Sequence, residues 1–294
     1  MTPFKVVSVD AFTHQGFTAR DVPNHGNEDS LVQASSIFGV IDGATAMIPD
    51  RLTGLTGAEY VSRFAAADFA HADLLEPDAT ACNVLLRTNK RFGKHLAEKF
   101  PQVAAQGKYG PSAAVVLVRF HADGTYSYAQ AADCFLAEVR TDGMVEVLTP
   151  DQLVNLDENG SLRLARQRIR EGVSPAEVLK DPSVHAQLKK NREKNNVAFG
   201  VLNGEKALAD HVCHGRRPLA GVKALVLMSD GMVLATGNGG RAERVACSAL
   251  RMLALGVRAY YRDCIKNVAD TDPHFQRMPR FKHLDDASAL VLHF

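Results

Sequence analysis

The stretch from Ser112 to Pro150 most restricts what this chain can become. It contains four segments of strand character, SAAVVLVRF, TYSYAQA, CFLAEVR and MVEVLTP, with HADGT and RTDGM among their connections. Asp123-Gly124 and Asp142-Gly143 supply the residues tolerant of positive φ that tight antiparallel hairpins need. Such a meander departs from the regular alternation of strand and helix that builds a doubly wound parallel sheet.

More strands stand on either side. FKVVSVDAF alternates apolar and polar residues, SLVQASSIFGVI supplies one or two further strands, and VKALVLMSDG and DDASALVLHF complete the set. Between them GAEYVSRFAAADFAHADLL carries Tyr60, Phe64, Ala67 and Leu74 at roughly helical spacing. TACNVLLRTNKRFGKHLAEKF repeats the pattern with Val84, Leu85, Phe92, Leu96 and Phe100. RAERVACSALRMLALGVRAYYRDCI reads as one long helix. The first and last strands lie at opposite ends of the chain with no linker between, so a single domain over residues 1–294 with a non-local core is expected. From Asp151 to about Gly221 the pattern weakens and Pro175 and Pro182 interrupt it, which predicts a flap or insertion at about 155–220.

Charge narrows the partners. Against 33 acidic residues stand 34 basic ones, a net charge of +1 that gives no reason to expect a nucleic-acid or acidic-membrane partner. Five dispersed cysteines without a CxxC pair read as buried or incidental thiols of a reducing compartment. With no apolar run long enough to span a bilayer and no leader-like opening, a soluble cytoplasmic protein without a membrane partner is the expectation. Oligomeric state is not legible.

Four Asp-Gly pairs divide by context. Asp123 and Asp142 lie in hairpins, whereas Asp42 and Asp230 cap FGVI and ALVLMS, strands apolar enough to be central. Asn27-Glu28-Asp29 precedes one such strand and Asp285-Asp286 opens the last. If these four clusters converge, they form an oxygen-rich, sulphur-free site suited to Mg²⁺ or Mn²⁺, and carboxylates packed that closely need cations to offset their repulsion. The alternative is that each Asp only terminates a strand. His211 to His214 lacks the second cluster a structural zinc site needs, and Gly237 to Gly240 lacks the ending of a phosphate loop and reads as a helix-entry turn. The basic run Lys189 to Lys194 reads as solvated flap surface, with a docking patch as the alternative.

The order NEDS, FGVIDGA, YGPSAAVVLV, YAQAADCFLAEV, LTPDQL, LVLMSDG and DDASALVLHF resembles the PP2C-type (PPM family) metal-dependent serine/threonine protein phosphatases of bacterial type, over about residues 5 to 294. The resemblance implies an α+β fold: a four-layer α-β-β-α sandwich with two central antiparallel β-sheets. It implies that Asp42 bridges two divalent ions, with the Gly43 carbonyl on the first and Asp230 and Asp285 on the second. Glu28 and Asp29 would support the site directly or through water. Asp133 would hold a third, weaker ion, although Ala132 and Phe135 replace the usual flanking Gly and Arg. Gly110, Ser112 and Ala113 match a strand entry that serves the fold. The implied reaction is hydrolysis of phosphoserine or phosphothreonine on a protein substrate by a water activated between two Mg²⁺ or Mn²⁺ ions, without a protein nucleophile.

Two positions depart from the family pattern. Ala44 stands where members often have a histidine, and Asn24 where they commonly have a phosphate-binding arginine; His25 and Arg20 are the nearest substitutes in sequence. These departures leave two further readings open: a catalytically weak or silent phosphoprotein-binding module, and a hydrolase of small phosphoesters.

Overall fold

Gly124 and Gly143 adopt φ of 79° and 88°, so both Asp-Gly pairs close hairpins as their chemistry requires. The computed structural model describes residues 6–24, 26–44, 47, 51–156, 160–235, 239–275, 277–278 and 280–294. His25 and the Gly237-Asn238 half of the glycine turn lie outside them.

Ten strands form two antiparallel sheets. In chain order they are β1 (Ser8–His14), β2 (Asp29–Gln33), β3 (Ile37–Ala44), β4 (Ser112–Phe120), β5 (Thr125–Ala131), β6 (Phe135–Arg140), β7 (Val145–Val147), β8 (Cys213–Pro218), β9 (Val222–Met228) and β10 (Ala287–His293). One sheet runs β1-β10-β9-β6-β7 and the other β8-β5-β4-β3-β2, and every pairing is antiparallel. The terminal strands β1 and β10 pair along their full length, from Ser8 opposite His293 to His14 opposite Ala287.

Side-chain alternation makes the four layers. Along β3, Ile37 and Ile41 face helices α1 (Gly57–Leu75) and α2 (Ala81–Lys99), while Phe38 and Val40 face the other sheet. On β9 and β10, Leu225, Leu227, Leu290 and Leu292 answer from across the sandwich. The opposite faces of β9 and β10 meet helix α5 (Arg241–Leu255) through Val245, Ala249 and Met252. The fold is thus the expected α+β sandwich of two antiparallel sheets between helical layers.

Helix α1 begins with Thr56 as N-cap in a reciprocal capping box with Glu59. Gly93 sits inside α2, where glycine is a poor helix former. The backbone of Gly204 explains it: a Cβ on Gly93 would lie 2.7 Å from the Gly204 carbonyl oxygen. Gly93→Ala is therefore expected to destabilise the protein by about 1–3 kcal/mol, although the same change in an exposed helix stabilises. Chemical denaturation measures the sign.

The long carboxy-proximal helix is broken. Gly256 takes φ 82° and ends α5, and the Val257 N–H donates to Asp10 Oδ2 at 2.8 Å. A short turn, Val257–Tyr260, and a π-helical segment, Tyr261–Lys266, follow. Helical periodicity continued across the break, but Gly256 is the left-handed stop that the pattern concealed.

Within the interval expected as a flap, helices α3 (Leu162–Arg170) and α4 (Pro182–Arg192) share a small apolar centre of Ala165, Val178 and Val184 with Phe281 against it. The same interval also contains β8, an edge strand of the second sheet. All five cysteines are free thiols, and no helix of the described residues is long and apolar enough to cross a membrane.

Candidate functional site

Strand parity delivers the first two carboxylates. Because Phe38 and Val40 face the intersheet core, Asp42 continues the same face to where that core ends. Leu31 packs on this core from β2, and Asp29, two residues before it, faces the same way. The ladder pairs Asp29 directly with Asp42. Two carboxylates are thereby held as opposite neighbours at one mouth of the sandwich, an arrangement that disfavours both being ionised.

The remaining acidic residues arrive from other elements. Asp230 opens a one-turn 3₁₀ helix just past β9, Asp133 sits in the turn between β5 and β6, and Asp285 lies just before β10. With Asp42 and Gly43 they line one cleft of ≈ 190 Å³. Asp29 is buried behind it and accepts from Ser229 Oγ at 3.0 Å. Glu28 stands beside the cleft wall, where Thr56 Oγ1 donates to its Oε1 at 2.9 Å.

The second aspartate of the Asp285-Asp286 pair does different work. Buried Asp286 accepts the Gly16 N–H at 2.6 Å, the Glu28 N–H at 2.8 Å and the Asn24 amide at 3.3 Å. It ties the loop before β2 to the last strand. Gly43 and Gly231 also prove to be packing requirements. A Cβ on Gly43 would lie 2.6 Å from the carbonyl oxygens of both Ala58 and Glu28, and one on Gly231 would strike the Asp286 carbonyl.

Burial raises the pKa of Asp42 well above the ordinary carboxylate range, and the charges of Asp29, Asp230, Asp133 and Asp285 raise it further, in that order. Asp29 is raised as well, first by burial; hydrogen bonds from Ser288 and Ser229 oppose this, and Asp286 and Asp285 add to it. Protein cations reach two of the outer members. Lys282 Nζ lies 2.8 Å from Asp285 Oδ1, and Arg241 Nη2 lies 4.0 Å from Asp230 Oδ2.

Among the described residues no three histidine, cysteine or carboxylate side chains are gathered closely enough to form a ready metal cage. The donor set nevertheless fits a hard divalent cation. Its donors are oxygens, Asp29 Oδ1 is buried without a hydrogen-bond partner, and the charges acting most strongly on Asp42 are all negative.

Comparison with known proteins rests on shape. No family model matches the chain, and no curated protein matches it in sequence. Solved structures do match over almost its whole length. The Mycobacterium tuberculosis serine/threonine phosphatase PstP/Ppp superposes with a TM-score of 0.56 at 15% identity, covering 98% of both chains. Stp1, a serine/threonine phosphatase from Staphylococcus aureus, gives 0.55 at 14%, covering 100% of this chain and 97% of that one. The catalytic domain of PstP in complex with 2 manganese ions gives 0.55 at 15%, with 97% of each chain covered. The chain has the PP2C-type phosphatase fold.

Within that PP2C-type fold the two departures acquire a geometry. Asn24 turns inward, donating to Asp286, and its N–H is held by the Gly16 carbonyl at 2.9 Å. It serves the loop and presents no cation to the cleft. Arg20 is exposed in the turn after the strand Phe17–Ala19 and is not part of the cleft lining. Ala44 lines the cleft with only a methyl group.

The cations lining the cleft are Lys282, to which no sequence motif points, and Arg192. Arg192 belongs to the basic run assigned to solvated surface. Lys189, Lys190 and Lys194 are indeed exposed, but Arg192 turns back and donates to Ser112 Oγ at 3.0 Å. Its signal was the burial of its neighbours Asn191 and Asn195, visible only after folding. For Lys282 the i, i+3 spacing to Asp285 was the available clue.

Proposed function

We propose that this protein is a Mg²⁺- or Mn²⁺-dependent phosphatase of phosphoserine and phosphothreonine residues on protein substrates. The reading rests above all on Asp42, placed opposite Asp29 at the sandwich mouth among carboxylates that all raise its pKa. Asp42 with the Gly43 carbonyl, together with Asp230 and Asp285, would hold a pair of divalent ions, supported by Glu28 and Asp29; Asp133 would serve a third. The chemistry such ions supply when bound is acidification of a water and neutralisation of charge on the phosphoryl oxygens.

The chain's own residues do the rest. Lys282 and Arg192, lining the same cleft, orient phosphate oxygens in place of the arginine absent at position 24. Asp286 fixes Glu28 by accepting its N–H, and the Thr56 hydroxyl aims the Glu28 carboxylate. Leu153, Leu156 and Leu188 from the flap side give the cleft an apolar wall that limits water.

A phosphothreonine peptide should be hydrolysed through multiple turnovers with Mn²⁺ or Mg²⁺, and chelator should abolish release of phosphate. Turnover at an equal rate without metal overturns the proposal. Ala44, with no proton to offer a leaving group, favours the second reading, a silent phosphoprotein-binding module. Stoichiometric phosphopeptide binding with no phosphate release at saturating Mn²⁺ would establish that module instead.

A further inference from the structure

A second and larger groove, ≈ 570 Å³, opens off the carboxylate cleft and shares Asp230, Lys282 and Asp285 with it. Its lining carries six cationic side chains, Arg163, Arg166, Arg241, Arg244, Arg280 and Lys282, against the three carboxylates of Asp151, Asp230 and Asp285. A chain of net charge +1 has concentrated basic residues at one place.

The cations divide by what already holds them. Arg280 is consumed internally, donating to Asp272 and to the backbone carbonyls of Ala269, Asp272, Met278 and His283. Arg241 lies 3.3 Å from Asp151, and Lys282 lies on Asp285. Arg163 and Arg166 differ. They stand one turn apart on α3, on the same face of the flap, and neither makes an ion pair among the described residues. Arg166 Nε is buried without a hydrogen-bond partner. A buried guanidinium nitrogen left unsatisfied costs free energy unless an acceptor reaches it. Across the groove Arg241 and Arg244 repeat the same spacing on α5, and Val233, Ile265, Val268 and Met278 line it with apolar surface.

We infer that this groove binds the substrate chain beside the scissile phosphate and selects segments carrying aspartate or glutamate next to the phosphorylated residue. The inference deepens the phosphatase reading and rests on it for the location of the scissile group. Guanidinium groups take carboxylates in paired hydrogen bonds, and an apolar lining between charged walls suits an extended peptide. Asp230 and Asp285, at the end shared with the cleft, would repel such a segment; the arginine pair on α3 sets its direction, along the flap and away from the cleft.

The test uses two phosphothreonine peptides that differ only in their flanking residues, acidic in one and serine in the other. With Mn²⁺ the acidic peptide should show a kcat/KM about tenfold higher or more, falling toward parity as salt is raised. Arg163→Gln with Arg166→Gln should bring the ratio close to one. Arg163→Glu, a change at an exposed position, should turn the preference toward a peptide with lysine flanks, which a merely structural role would not do. Equal kcat/KM in the native protein, or a preference that survives both variants, overturns the inference. If neither peptide is hydrolysed, the phosphatase reading fails separately, and fluorescence anisotropy of the same peptides decides the groove: tighter binding of the acidic one supports it, equal binding overturns it.

Discussion

Asp42→Asn is expected to cut phosphopeptide turnover by about 10³-fold or more, while making the metal-free protein more stable. Both effects have one origin. Asp42 faces Asp29 across the ladder, burial raises its pKa first, and surrounding carboxylates raise it further. A carboxyl whose folded pKa lies above its unfolded value contributes stability that is fully present below the ordinary carboxylate range. That stability is lost as pH rises through the raised folded value. At neutral pH the native metal-free chain therefore carries a penalty that asparagine removes, by about 1 kcal/mol. The gap between the two proteins should widen from acid to neutral pH. Mn²⁺ should raise the melting temperature of the native protein and leave Asp42→Asn nearly unmoved. Equal stabilisation of both by Mn²⁺, with activity retained in the variant, would remove Asp42 from the proposed metal site.

Asp73→Ala is expected to destabilise the fold by about 3–5 kcal/mol. Asp73, on α1, accepts the N–H groups of Ser35 at 2.9 Å and Ser36 at 3.2 Å, along with the Ser36 hydroxyl. It is also the nearest counter-charge to Arg119, at 4.0 Å, with side chains 3% and 1% exposed respectively. Burial lowers the pKa of Arg119, Asp73 opposes that most strongly, and Arg119 Nε and Nη1 have no hydrogen-bond partners. Removing Asp73 strands a buried charge and frees two backbone donors of the turn between β2 and β3. The double change Asp73→Ala with Arg119→Met should recover part of the loss, because an apolar side chain no longer needs the anion. Denaturant midpoints of the two single variants and the double variant measure it. Additive losses would show that the pair does not interact.

How far the fold was legible depended on how local its signals were. The Asp-Gly hairpins, helix α1 and helix α2 needed only turn chemistry and a 3.6-residue period, and they lie where those signals put them. Helix α5 was overextended because apolar spacing continues past Gly256, and only a φ of 82° and the Asp10 cap on Val257 reveal the stop. Strand β8 carries no sequence signal because CHGRRP lacks apolar alternation. As an edge strand it is held by backbone pairing to β5, which needs no particular side chain.

The acidic residues themselves were visible as Asp-Gly and Asp-Asp pairs at the ends of apolar strands. Their differing duties were not. Asp285 lines the cleft while Asp286 clamps Gly16, Asn24 and Glu28, and adjacent positions in a chain give no hint of which faces which way until a strand's register is set.

What the chain determined by itself is the pair of Asp-Gly hairpins, the period-two faces of its strands, and the oxygen-only chemistry of the residues that end them, because these follow from short-range sterics and side-chain type. The single meander expected over Ser112 to Pro150 is instead divided, β4 and β5 joining one sheet and β6 and β7 the other. Tertiary structure alone decided that Asp29 would stand against Asp42, that Lys282 and Arg192 would enter the cleft Asn24 leaves without a cation, and that two arginine pairs would face one groove. Those are contacts between segments far apart in sequence. They depend on which strands pair and where α3 and α4 fold back, and no local pattern encodes a distance across a sandwich.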